Sequence, residues 1–259
     1  MQMQGSEGGV GMIALAYAMS CVGSALALSA MARSRAVDGR VRVSWLVLAA
    51  VSLGGAGIWV MHSVAMLGFS VQGLQITYNV PLMLLSLVVA VVVTGIGLGI
   101  AVAGKGKFGA LALGGLITGC GVAGMHYMGM SAMRMPASIG YRPLVVLASV
   151  VIAVVAATAA LWAALNIRGL RAMLGASLVM GLAVTGMHYT GMAALILTAA
   201  PQTSAGGPTA FQLLAPLALG IGLSTLIILF IVGVGDSERD LLQKEQDEAN
   251  LRKLASREV

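Results

Sequence analysis

Apolar positions in this chain run on for longer than a soluble fold can use. Seven uninterrupted stretches, at about 9–32, 43–68, 79–103, 108–132, 143–166, 172–199 and 209–234, exceed the roughly 20 residues a helix needs to cross a hydrocarbon core. None has the short alternating pattern of a spanning barrel strand. The pattern predicts an all-α, polytopic membrane bundle of seven transmembrane helices, arranged as three helical-hairpin repeats plus a seventh helix. Polar residues gather in short connections and then, from Asp236, in a charged, helix-favouring stretch. The expected organisation is a seven-helix membrane domain over 1–234 and a charged cytoplasmic helical tail over 235–259. Leu241, Leu251 and Leu254 make that tail either a solvated helix or a stalk that pairs with a second chain, leaving a homodimer open.

Composition sharpens the reading. Charged residues are 9% of the chain, against about 25% in soluble domains, and mean hydropathy is +0.96. The 35 glycines suit close approach of helices in lipid. The first stretch is too long for a signal-peptide core and has no basic segment before it, so it is expected to span.

Charge then sets orientation. Arg33, Arg35, Arg40 and Arg42 follow the first stretch; Lys105 and Lys107 follow the third; Arg168 and Arg171 follow the fifth; Arg239, Lys244, Arg252, Lys253 and Arg257 lie in the tail. Only Arg134 and Arg142 fall on the opposite side. By the positive-inside rule the N-terminus is outside and the C-terminus cytoplasmic. The net charge of +6 is therefore mostly a topology signal, and a nucleic-acid partner has little support. The expected partner is the lipid bilayer.

All three histidines sit in near-copies of one motif: Met61-His62-Ser63-Val64-Ala65-Met66, Met125-His126-Tyr127-Met128-Gly129-Met130 and Met187-His188-Tyr189-Thr190-Gly191-Met192. The spacings are 64 and 62 residues, so the three carrying helices run the same way and hold their histidines at similar depth. In a helix, His and the Met four positions on share a face, whereas the Met before each His points about 100° away. Ionisable groups inside spans are rare and commonly functional. Three imidazoles with thioethers beside them suit copper, especially the soft cuprous ion, better than zinc or a hard cation.

The candidate metal ligands are His62, His126, His188, Met61, Met66, Met125, Met130, Met187 and Met192. No carboxylate lies in any span to act as a base, and no catalytic residue is assigned. Tyr127 and Tyr189 are read as outer hydrogen-bonding partners or as interfacial anchors. Gly129 and Gly191 are read as close helix contacts, with room for a small ligand as the alternative. Cys21 and Cys120 fall within spans, so no disulfide framework is expected. Cys120, six residues before His126, is the better candidate of the two for touching a ligand.

The tetrapeptide Met187-His188-Tyr189-Thr190 resembles the signature of the MHYT family of bacterial integral membrane sensor domains. Met125-His126-Tyr127-Met128 matches it at three positions of four, and Met61-His62-Ser63-Val64 keeps only Met and His. The resemblance implies copper bound through Met61, His62, Met125, His126, Met187 and His188 near the outer membrane face. It also implies sensing of a diatomic gas such as oxygen, carbon monoxide or nitric oxide, and coupling to a cytoplasmic signalling partner or output domain. A sensor of gas or redox state is therefore the first functional expectation, and a binding domain is expected rather than an enzyme. The alternatives are a haem or copper redox protein of oxidase-like type, a copper transporter, and a scaffold whose histidines only stabilise the bundle.

Overall fold

The computed structural model describes residues 2–3, 5–6, 9–34, 42–71, 74–199, 206–213, 216–217, 219–220, 223 and 225–231. Six helices long and apolar enough to cross a membrane lie among them: α1 (Val10–Ser34), α2 (Val43–Gly68), α3 (Val80–Ala103), α4 (Phe108–Ser131), α5 (Pro143–Asn166) and α6 (Leu170–Ala193). The expected seventh span is only partly described. Its described residues from 210 to 231 have helical conformation, and the expected tail over 235–259 lies outside the described residues. The protein is thus a multi-pass helical membrane bundle with six spans described.

Local chemistry sets the helix ends. Asn79 caps α3 by accepting a hydrogen bond from the Leu82 N–H, and Pro81 and Pro143 occupy first-turn positions of α3 and α5, where no N–H partner is needed. The turn from α3 into α4 passes through Lys105 at φ 52° and Gly106 at φ 69°, and Gly169 at φ 82° opens α6. A left-handed backbone is cheap for glycine and less so for lysine.

Each helix packs on its chain neighbours, and α1 closes the ring by lying against both α2 and α6. Small residues make this closeness feasible. A Cβ on Gly23 of α1 would overlap the Gly57 backbone of α2, and one on Gly119 of α4 would overlap Val154 of α5. Within α2, residues Val51–Trp59 wind as a π-helix that contains Gly54, Gly55 and Gly57 and is buried from Ser52 to Trp59. This stretch immediately precedes the first motif.

The connections at the motif end of the bundle are not plain loops. Among the described residues seven short strands lie there: β1 (Gln2–Met3), β2 (Gly5–Ser6), β3 (Ser70–Val71), β4 (Thr77–Tyr78), β5 (Met133–Arg134), β6 (Ala137–Tyr141) and β7 (Leu195–Ala199). They pair antiparallel as β1–β7–β6, β2–β3 and β4–β5, with Tyr141 opposite Leu195 and Ala137 opposite Ala199. Beneath them Met66, Phe69, Tyr78, Met130, Met133, Met192 and Leu197 form one buried apolar cluster that closes the motif end. A second and larger cluster fills the bundle below it and contains Met61, Met125 and Met187.

Candidate metal centre

The three motif helices α2, α4 and α6 alternate around the ring, so each presents its histidine to a common centre. His62 Nδ1 stands 3.1 Å from His188 Nδ1 and 3.2 Å from His126 Nδ1. Every pair of rings is edge-on, with centroids 5.0, 5.1 and 4.9 Å apart for 62–126, 62–188 and 126–188. All three are buried, His188 completely, and one ring nitrogen from each lies within 4.8 Å of the others.

Three donors that close together have a limited set of uses. A neutral imidazole carries one N–H and one lone pair, so each short Nδ1···Nδ1 approach needs a proton between the two atoms or a shared cation. Nitrogens about 2.0 Å from one ion in a trigonal array lie roughly 3.4 Å apart, close to the two distances seen here. The three buried histidines are therefore placed to bind one metal ion. Each must be neutral to do so. All nine Asp and Glu residues lie outside the described residues, so the described donor set is imidazole alone, with methionines around it.

The rings are held by packing more than by hydrogen bonds. Nε2 of His126 and Nε2 of His188 have no hydrogen-bond partner although buried. A Cβ on Gly129 of α4 would overlap Nε2 of His62, and one on Gly191 of α6 would overlap Nε2 of His126. Each of these glycines thus forms the seat for the histidine of another motif helix. They are thus contacts to an imidazole and not only between backbones; the repeated His-x-x-Gly spacing carries the signal, but the cross-helix partner does not show in it. Ala65 fills the equivalent position in the first copy and is buried.

Tyr127 and Tyr189 each stand edge-on against the histidine they follow, at 5.0 and 4.9 Å between centroids. Tyr127 shares a hydrogen bond of 2.7 Å with Ser149 of α5. In the first copy Ser63 replaces the tyrosine, and Trp59, one turn earlier, donates from Nε1 to Ser86 Oγ at 3.0 Å. Ser86 holds in α3 the place Ser149 holds in α5, six residues after the helix start, so Trp59 satisfies the hydroxyl that tyrosine satisfies in the second copy.

The six candidate methionines are all buried but fall in two layers. Met66, Met130 and Met192 belong to the cluster over the histidines, where Tyr78 donates to the Met66 carbonyl at 2.9 Å. Met61, Met125 and Met187 belong to the larger cluster below. Cys120, expected to be the better placed cysteine, is exposed on the helix surface, and Cys21 lies against Gly181 in the α1–α6 contact. Neither belongs to the histidine group.

A ring of membrane helices with one buried histidine triad, each histidine from a copy of the same repeat, defines a repeat-built membrane module. The chain matches the MHYT family, described as a bacterial signalling protein N-terminal repeat, three times, at residues 55–114, 119–177 and 181–243, and it belongs to that family. Each match begins partway along a motif helix, so the units run from motif helix to following helix and leave α1 outside all three. That phase is one helix later than the hairpins read from the sequence.

Among similar proteins, the bifunctional diguanylate cyclase/cyclic di-GMP phosphodiesterase MucR of Pseudomonas aeruginosa is 40% identical over 232 residues, covering 87% of this chain and 34% of that protein. The cyclic di-GMP phosphodiesterase NbdA of the same organism is 37% identical over 209 residues, covering 78% and 26%. The signaling protein YkoW of Bacillus subtilis is 27% identical over 195 residues, covering 71% and 23%. The chain spans about a third or less of the length of these relatives. No solved structure matches it.

Proposed function

We propose that this chain is a copper-binding sensor module of the bacterial inner membrane, with its N-terminus outside and its C-terminus in the cytoplasm. The observation that carries the reading is the meeting of three buried Nδ1 atoms at 3.1 and 3.2 Å inside an apolar bundle. His62, His126 and His188 hold the ion through nitrogen. Thioethers of Met66, Met130 and Met192 lie in the layer above and are the softer donors; Met61, Met125 and Met187 lie below. Imidazole with thioether favours copper over zinc or hard cations. Copper supplies a redox-active centre able to take a diatomic gas such as oxygen, carbon monoxide or nitric oxide, or to report redox state.

The protein's own part is positioning. Gly129 and Gly191 seat two of the rings, Tyr127 and Tyr189 brace two of them, and the methionine and strand layer excludes water. Any sensed molecule must bind two states of the bundle with different affinity, and motion of a motif helix is the natural coordinate because His62 and His126 each rest on a neighbouring motif helix's backbone. The output is a cytoplasmic partner or domain. The relatives named for cyclic di-GMP synthesis and breakdown make turnover of that nucleotide the leading candidate.

Copper content of the purified protein tests this. Stoichiometric copper that disappears when all three histidines become alanine supports it; absent copper, or copper indifferent to that change, rejects it. A haem site is disfavoured because the rings already touch, with no slot for a porphyrin between them. Transport is disfavoured because the histidines form one layer rather than a ladder across the membrane.

A further inference from the structure

The three repeats are not equivalent, and the difference opens space beside one histidine. Where the second and third copies carry tyrosine, Ser63 leaves a small cavity of about 10 Å³ walled by His62, Ser63, Met66, Tyr78 and Gly129. Ser63 Oγ is buried, lines this cavity and has no hydrogen-bond partner. A volume near 10–15 Å³ is about what one water-sized molecule needs. Trp59, Met83 and Ser86 complete the wall, locked together by Trp59 Nε1 donating to the Met83 carbonyl at 3.1 Å and to Ser86 Oγ at 3.0 Å.

Trp59 and Met83 also line a second, much roomier cavity. It has about 690 Å³ and an almost wholly apolar lining, running between α2 and α3 and reaching Leu213 and Leu217. Leu84, Val88 and Val92 on its rim are half exposed, so on a membrane-spanning bundle it opens to the lipid. Gly55 of the π-helical stretch lines it too, which places the wound-out part of α2 at its floor.

We propose that the Ser63 cavity is a binding site for a neutral molecule of at most two heavy atoms, which arrives from the bilayer through the α2–α3 cavity past Trp59 and Met83. The size of the inner space excludes larger ligands, and the apolar approach excludes ions. The Ser63 hydroxyl is a buried hydrogen-bonding group of this lining that has no partner within the protein. The first copy thereby differs from the other two in function: its histidine has an open side, whereas His126 and His188 are backed by tyrosine. This inference rests on the metal reading above only where a ligand on copper is used as the probe.

Two probes separate the claims. Xenon applied to the metal-free, full-length protein should occupy the α2–α3 cavity, and Leu87→Trp should abolish that signal; failure of xenon to enter, because lipid or a second copy fills the cavity, would overturn the route. Carbon monoxide added to the cuprous protein should give an infrared band. Ser63→Tyr, which restores the residue of the other copies, should lose the band with copper content unchanged. Ser63→Ala, the milder change, should shift the band and weaken binding about fivefold, the effect of one neutral hydrogen bond. Leu87→Trp should slow carbon monoxide association at least tenfold while leaving equilibrium affinity within twofold. Unchanged carbon monoxide binding in Ser63→Tyr and Ser63→Ala, or an unchanged rate in Leu87→Trp, overturns the proposal. A protein that takes up no copper sinks the proposed function, while the xenon result still decides the route.

Discussion

Alanine at Gly129 is the substitution whose effect follows most directly from the packing of the histidines. A Cβ there overlaps Nε2 of His62 and lies 3.0 and 3.1 Å from its Cδ2 and Cε1; at Gly191 the corresponding distances to His126 are 2.8 and 3.2 Å. Unstrained carbon contacts lie at roughly 3.5–4.0 Å, so the imidazole must retreat by about 1 Å. Metal–nitrogen bonds tolerate only about 0.2 Å. One ligand is therefore pulled off or the helices part, and Gly129→Ala should weaken copper binding by roughly 10- to 100-fold, the scale seen when a supporting group around a metal ligand is lost. Overpacking also costs about 1–3 kcal/mol of stability, partly offset by the better helix propensity of alanine, about 0.5–1 kcal/mol.

Gly124→Ala is the matched control, since nothing lies within 4 Å of a Cβ at that position on the same helix. The assay is competition against a cuprous chelator in detergent, with a thermal melt on each variant. Equal copper affinity in Gly129→Ala and Gly124→Ala would refute the idea that the glycine seats the histidine.

Other consequences can be checked in the same preparation. Gly23→Ala places a methyl against the Gly57 backbone and should lower the melting temperature by the equivalent of about 1–3 kcal/mol, while Gly11→Ala, with nothing within 4 Å, should not. Tyr78→Phe removes the donor to the Met66 carbonyl and should cost about 1 kcal/mol by chemical or thermal unfolding. Burial pushes the Tyr78 phenol up to about 12 from its usual 10. Because the unfolded chain ionises first, stability contributed by that neutral phenol is intact below pH 10 and falls as pH climbs toward 12; absorbance of phenolate should lose a late-titrating component in Tyr78→Phe. Replacing Met66, Met130 and Met192 together by Leu, a near volume-conserving change, should keep the fold and reduce preference for cuprous ion over zinc in competition assays.

Span positions were largely legible because burial in lipid needs little beyond length and apolarity. The stretches read at 43–68, 79–103 and 143–166 correspond closely to α2, α3 and α5. The stretch read as 172–199 overran α6, which stops at Ala193, because Leu195–Ala199 is apolar enough to extend a span yet pairs as a strand with Ala137–Tyr141. Apolarity alone does not separate those outcomes. The meeting of the histidines was legible from even spacing, since equal depth on parallel helices leaves only the ring closure to supply. What seats the His62 and His126 rings was not, because a glycine's partner on another helix leaves no periodic trace. The same is true of the Ser63 cavity: the departure from tyrosine is plain in the sequence, but the Trp59–Ser86 hydrogen bond that walls it joins residues 27 positions apart. The π-helical winding of Val51–Trp59 likewise had no signal beyond a run of glycines.

X-ray absorption at the copper edge on the purified, full-length protein tests the central claim most directly. The expected result is one ion per chain with three nitrogen scatterers at about 2.0 Å, lost when His62, His126 and His188 are replaced together. Copper bound without nitrogen neighbours, or a spectrum that survives the triple replacement, would contradict it.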